Sequence, residues 1–179
     1  MQRRKFLQNI SLISAAAALP TVTHAETAKK KKSFTTAFIS DIHIKPSEIA
    51  EAGMQKALQN INQLKQQPDF IINGGDSVMD ALAADKEKTR TQWDLFNKIM
   101  QAENKLPVKY CIGNHDIWGW QVKDDTIKTD PLYEKAWVVQ QHKMPHRFYS
   151  FDKNNWHFIV LDSTQENNGG YISRLDEEQ

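Results

Sequence analysis

Three short stretches set carboxylates and imidazoles beside small residues: Ser40-Asp41-Ile42-His43, Asn73-Gly74-Gly75-Asp76 and Gly113-Asn114-His115-Asp116. Each follows an apolar run, so the reactive side chains fall where candidate strands end. Asp41 and His43 are two apart, and an extended backbone aims both to the same side, close enough to share one cation. Gly74 and Gly75 strip side chains from the turn before Asp76, which lets its carboxylate approach a central ion. Asn114 offers a neutral carbonyl oxygen, and His115 a nitrogen or a proton. A mixed nitrogen and oxygen donor set without thiolate suits Mn, Fe or Zn. Asp-x-His and Gly-Asp are each common by chance; their ordered recurrence after successive strands carries the weight.

The elements that must position them alternate. Phe34 to Ser40 reads as a buried strand, and Asp69 to Asn73 as a second. From Glu48, Ile49, Met54, Ala57, Leu58, Ile61 and Leu64 recur at helical spacing, and Pro68 closes that segment. A second helix is expected from about Asp85 to Glu103, with Trp93, Phe96, Ile99 and Met100 on one face. Pro107 to Ile112 makes a third strand. A short helix is expected to open at Asp130-Pro131, and two further strands flank a turn at Asn154-Asn155. Strand, helix, strand, helix, strand predicts an α/β fold on a largely parallel sheet. Ligands of such sheets gather beyond the carboxyl ends of the strands, where the three stretches lie.

These stretches resemble the ordered signature of the calcineurin-like metallophosphoesterases: Asp-x-His, Gly-Asp, Gly-Asn-His-Asp/Glu, a further His, then Gly-His-x-His. The resemblance covers Phe34 to Gln179 and implies a layered sheet sandwich flanked by helices. It implies two divalent metal ions, with Asp41 and His43 on the first, Asp76 bridging and Asn114 on the second. His115 would then protonate or stabilise the leaving oxygen, and Asp116 would help orient it. The implied reaction is hydrolysis of a small phosphomonoester or phosphodiester by metal-activated water. The Asn-His-Asp pattern with His43 is similar to the cyclic nucleotide phosphodiesterase branch. Met79 stands where purple acid phosphatases carry tyrosine, so a tyrosinate-bound ferric ion is not expected.

Two readings of Trp118 and Trp120 stand: stacking on a substrate base or ring, or covering the loop. The last motifs of the family pattern do not occur, and His142, His146 and His157 read as structural or solvated. The fold is therefore expected to be incomplete at the C-terminus, with residues 34–179 the N-terminal part of a longer domain and this chain weakly active or inactive. Ser173 to Gln179 resembles a helix start. A second reading is a noncatalytic metal-binding or interaction protein with a degenerate site.

Residues 1–25 have a basic start, an apolar middle and a small-residue end, the pattern of an export signal peptide. Arg3-Arg4 before Phe6-Leu7 resembles a twin-arginine signal, which implies the twin-arginine export machinery as partner and a periplasmic or secreted location. Residues 26–33 form a basic linker. The stretch from Leu7 to Leu19 is too short and too interrupted to anchor a membrane. Removing residues 1–25 takes three cations and no acid, turning a formal charge of +1 into −2, so a nucleic-acid polymer is not the expected partner. A single cysteine, Cys111, excludes an intrachain disulfide and reads as a small apolar filler.

Overall fold

A computed structural model describes residues 33–179. The export signal of residues 1–25 and nearly all of the basic linker lie outside the described residues.

Phe70-Ile71-Ile72-Asn73 forms β2, an apolar run that pairs on both sides, as suits the middle strand of a parallel sheet. It lies between β1 (Thr36–Ile39) and β3 (Val108–Tyr110), with Ile71 opposite Ala37 and Val108. The parallel order β1-β2-β3 brings all three carboxyl ends to one edge, each strand shorter than the apolar run that predicts it.

Helix α1 (Glu48–Asn62) covers the sheet through Met54 and Leu58, four apart on one stripe. Ile49 departs from the expected face and is 87% exposed, because five residues carry it well around the helix from Met54. Leu64 falls beyond the C-cap Gln63 and is half exposed. Helix α2 (Lys86–Glu103) begins where the Asp85 carboxylate accepts the Lys88 amide at 2.8 Å, and it buries Trp93, Phe96, Ile99 and Met100.

The third helix starts later than Asp130-Pro131. The Asp130 carboxylate accepts the Leu132 amide at 2.9 Å and pairs with Lys86, holding a turn rather than a helix. Glu134 then exchanges two backbone bonds with Trp118 at a φ of 59°, and only after it does α3 (Lys135–Gln141) begin. Strands β4 (Tyr149–Lys153) and β5 (Trp156–Val160) form the expected hairpin around Asn154-Asn155. The Tyr149 hydroxyl both accepts the Tyr110 amide at 3.0 Å and donates to the Tyr110 carbonyl at 2.9 Å, which fastens the hairpin to β3.

A second hairpin, β6 (Thr164–Asn167) with β7 (Gly170–Ser173), turns on Asn168 and Gly169, both at positive φ. Asn-Gly at a two-residue loop is a hairpin signal that the sequence reading overlooked. The expected helix start at Ser173–Gln179 does not form. Asp176 and Glu178 are drawn instead to Arg147, and the Gln179 side chain bonds the Asp162 amide and carbonyl.

Candidate metal centre

The strand ends converge through their loops. The chain leaving β1 lies against the chain leaving β2: the Asp41 amide donates to the Gly75 carbonyl at 3.1 Å, His43 to Asp76 at 3.0 Å and Ile44 to Ser77 at 3.0 Å. The third loop joins them at Asp76, whose Oδ1 accepts the His115 amide at 2.9 Å. Two glycines permit this approach. A Cβ on Gly75, at a φ of 106°, would lie 2.5 Å from the Gly113 nitrogen, and one on Gly113 would lie 2.1 Å from the Asp76 nitrogen.

Asp41, His43 and Asp76 all occupy the left-handed region, at φ of 55°, 48° and 54°. This corrects the expectation of an extended Asp-x-His. The two side chains share a side because tight turns aim them, not because a strand alternates. Such conformations cost about 1–3 kcal/mol each and persist where the surroundings enforce them.

The His43 Nε2 atom lies 3.8 Å from an Asp41 oxygen and 3.9 Å from Asp76 Oδ2. Both separations exceed a hydrogen bond. Both fall under the ~4.2 Å that separates two donors placed on opposite sides of one ion at ~2.1 Å each. Donor atoms of His43, Asp76 and His115 all lie within 4.8 Å of one another, and the His43 and His115 rings meet edge to face at 4.6 Å. The Nδ1 atom of His43 is buried without a hydrogen-bond partner. Asn114, partly buried, opens a 3₁₀ turn over Asn114–Asp116 and precedes His115 in the chain. Two carboxylates and two imidazoles gathered in this way are a donor set that a divalent ion fits.

His115 is held by its other nitrogen: Nδ1 lies 2.5 Å from the Met79 carbonyl. A carbonyl only accepts, so Nδ1 carries a proton and Nε2 is left to act. Asp116 does not orient this ring. Its carboxylate, fully buried, accepts the Ser77 and Val78 amides at 2.7 and 3.2 Å on one oxygen and the Gly113 amide at 3.0 Å on the other. It clamps the second loop to the third. Burial pushes its pKa up to about 7 against the pull of those N–H groups.

A model of the calcineurin-like phosphoesterase family matches residues 34–176. The chain belongs to that family. No curated protein matches it. Membership in the calcineurin-like phosphoesterases makes this a metallophosphoesterase domain of a metal-dependent hydrolase family that acts on small phosphoesters, and the strand-end loops gather His43, Asp76 and His115.

Other residues of this phosphoesterase domain fall outside the cluster. Trp118 and Trp120 are 1% and 6% exposed, and the Trp118 indole donates to the Ala84 carbonyl at 3.1 Å, so both rings are packed largely into the core. His157 bonds the exposed Asp152 at 2.7 Å, and His146 faces Glu178. Cys111 is partly buried, and burial pushes its thiol pKa up, away from nucleophile chemistry. Among the described residues no helix is long and apolar enough to cross a membrane. Asn73 was missed as a site residue: its Oδ1 accepts the Gly75 amide at 3.0 Å and its Nδ2 donates to Ser77 Oγ at 3.1 Å, bracketing Asp76. Its place at the end of a buried strand was the available signal.

Proposed function

We propose that Asp41, His43, Asp76 and Asn114 hold two divalent cations, Mn, Fe or Zn, and that the domain hydrolyses a phosphomonoester or phosphodiester with His115 as proton donor. The observation that supports this most is His43 Nε2, set 3.8 and 3.9 Å from two carboxylates that make no hydrogen bond to it. Bound cations would supply Lewis-acid activation of water and neutralise charge on the phosphate.

The chain's own residues do the rest. Asp76 keeps one oxygen on the His115 amide, which turns the carboxylate toward His43 with the other. Met79 holds Nδ1 of His115, so a protonated ring presents its second N–H at Nε2, and that proton passes to the departing oxygen as its bond to phosphorus breaks. Asp116 contributes by holding the two loops in register.

Calorimetric titration with Mn²⁺ tests the assignment. Asp41→Ala and Asp76→Ala should abolish binding that the wild-type chain shows; unchanged affinity in Asp76→Ala overturns the reading. His115→Ala should keep Mn²⁺ affinity and lower turnover by about 10²–10⁴-fold. Hydrolysis of p-nitrophenyl phosphate against bis(p-nitrophenyl) phosphate separates monoester from diester activity.

We further propose export through the twin-arginine machinery to the periplasm or beyond, on the strength of Arg3-Arg4. Replacing both with lysine and finding export unchanged would count against it.

A further inference from the structure

We propose that His142 is a positioning residue for the Asp76 turn, acting through Ser77 and Asn73; this rests on the metal-binding reading of Asp76. His142 caps the carboxyl end of α3, far from the signature in sequence, yet its Nε2 lies 3.2 Å from Ser77 Oγ. Asn73 already donates to that hydroxyl, whose own hydrogen is free to go to Nε2 when the ring carries its proton at Nδ1, and the chain runs Asn73, Ser77, His142. Asn73 and Ser77 are fully buried and His142 is 8% exposed, which keeps bulk solvent from these bonds and strengthens each. Burial also pushes the His142 pKa down to about 3, consistent with a neutral ring that accepts.

The ring is immobilised for this task. It stacks on Tyr110 at 3.8 Å with planes 8° apart, and its edges meet Trp93 at 5.1 Å and Phe96 at 5.6 Å. The turn it supports requires support: Gly75 stands at a φ of 106° and Asp76 at 54°. The residues on both sides of Asp76 are tied to the same polar chain, Gly75 by its amide on Asn73 and Ser77 by its hydroxyl. His142 therefore transmits the position of α3 and of the aromatic core to the carboxylate.

His142→Phe keeps the aromatic volume and the stack on Tyr110 but loses the acceptor; Ser77→Ala removes the hydroxyl; His142→Gln restores a hydrogen-bonding group. The full chain and each variant are titrated with Mn²⁺ by calorimetry and melted without metal. His142→Phe and Ser77→Ala should each weaken Mn²⁺ binding by about tenfold. The double variant should be no weaker than either single one, since both cut the same chain. His142→Gln should recover most of the affinity. A lowered melting temperature with wild-type Mn²⁺ affinity in both single variants, or additive losses in the double, overturns the proposal. Should His142→Phe fail to fold, wild-type affinity in Ser77→Ala overturns it and a weakened affinity supports it. An Asp76→Ala control that binds Mn²⁺ as well as wild type, or a wild-type chain that binds none, overturns the metal reading and this proposal with it; an Asp76→Ala control that loses binding confines any failure to His142.

Discussion

The His115 backbone amide donates to the Asp76 carboxylate across 2.9 Å, so the candidate proton donor and a candidate ligand from another strand end are coupled by one bond. Asp76→Asn preserves an acceptor for that amide and removes the charge. Mn²⁺ affinity should fall by more than about 100-fold, beyond the loss expected for an outer-sphere partner. The melting temperature of the metal-free protein should stay closer to wild type than that of Asp76→Ala. Calorimetry of both kinds measures the pair.

Gly113→Ala should be among the most damaging single-methyl additions in the molecule. Its Cβ would meet the Asp76 nitrogen and Oδ1 at 2.1 Å, both too rigidly held to give way. Overpacking of this kind costs about 3 kcal/mol. Scanning calorimetry should show a fall of roughly 6–12 °C for a chain of this size.

Asp116→Asn is nearly isosteric but exchanges an acceptor for a donor. The amide oxygen can keep Ser77 and Val78, which leaves an NH₂ facing the Gly113 N–H, or the reverse. One buried backbone donor is unpaired in the first orientation and two in the second, so the cost is at least about 1–3 kcal/mol. Urea unfolding should show a reduced midpoint with an unchanged slope.

His142 fixes the sign of one pH dependence. Its folded pKa is depressed to about 3, and none of its ring or hydrogen-bond partners is an acid. The unfolded chain takes up the proton near pH 6.5 while the folded chain does not, so stability is lost as the pH falls from about 6.5 toward 3. Between pH 7 and pH 5 the loss from this group is about 2 kcal/mol. His142→Phe should lack that part of the decline, read as a smaller difference between melting temperatures at the two pH values.

The strand ends and their reactive residues were legible because local signals agree there: an apolar run, glycines, then a carboxylate or imidazole. Helix α2 was legible from its regular apolar stripe of Trp93, Phe96, Ile99 and Met100. What escaped depends on partners distant in sequence. The delay of α3 past Pro131 comes from the Glu134 pairing with Trp118, and the clamp made by Asp116 needs the amides of Ser77 and Val78. His142 read as one more structural or solvated histidine because its role exists only once α3 packs beside β3. The burial of Trp118 and Trp120 is likewise decided by tertiary packing, since tryptophan suits either a core or a binding face.

The left-handed backbone at Asp41, His43 and Asp76 bears on transplanting this cradle into another scaffold. On a regular strand, residues two apart stand on one face but ~6.6 Å apart along the chain. The Asp41 and His43 donor atoms here are 3.8 Å apart. A designer who copied the side chains without the bends would lose the backbone directions that aim them here, so the portable unit is the pair of kinked loops laced together by their own amides.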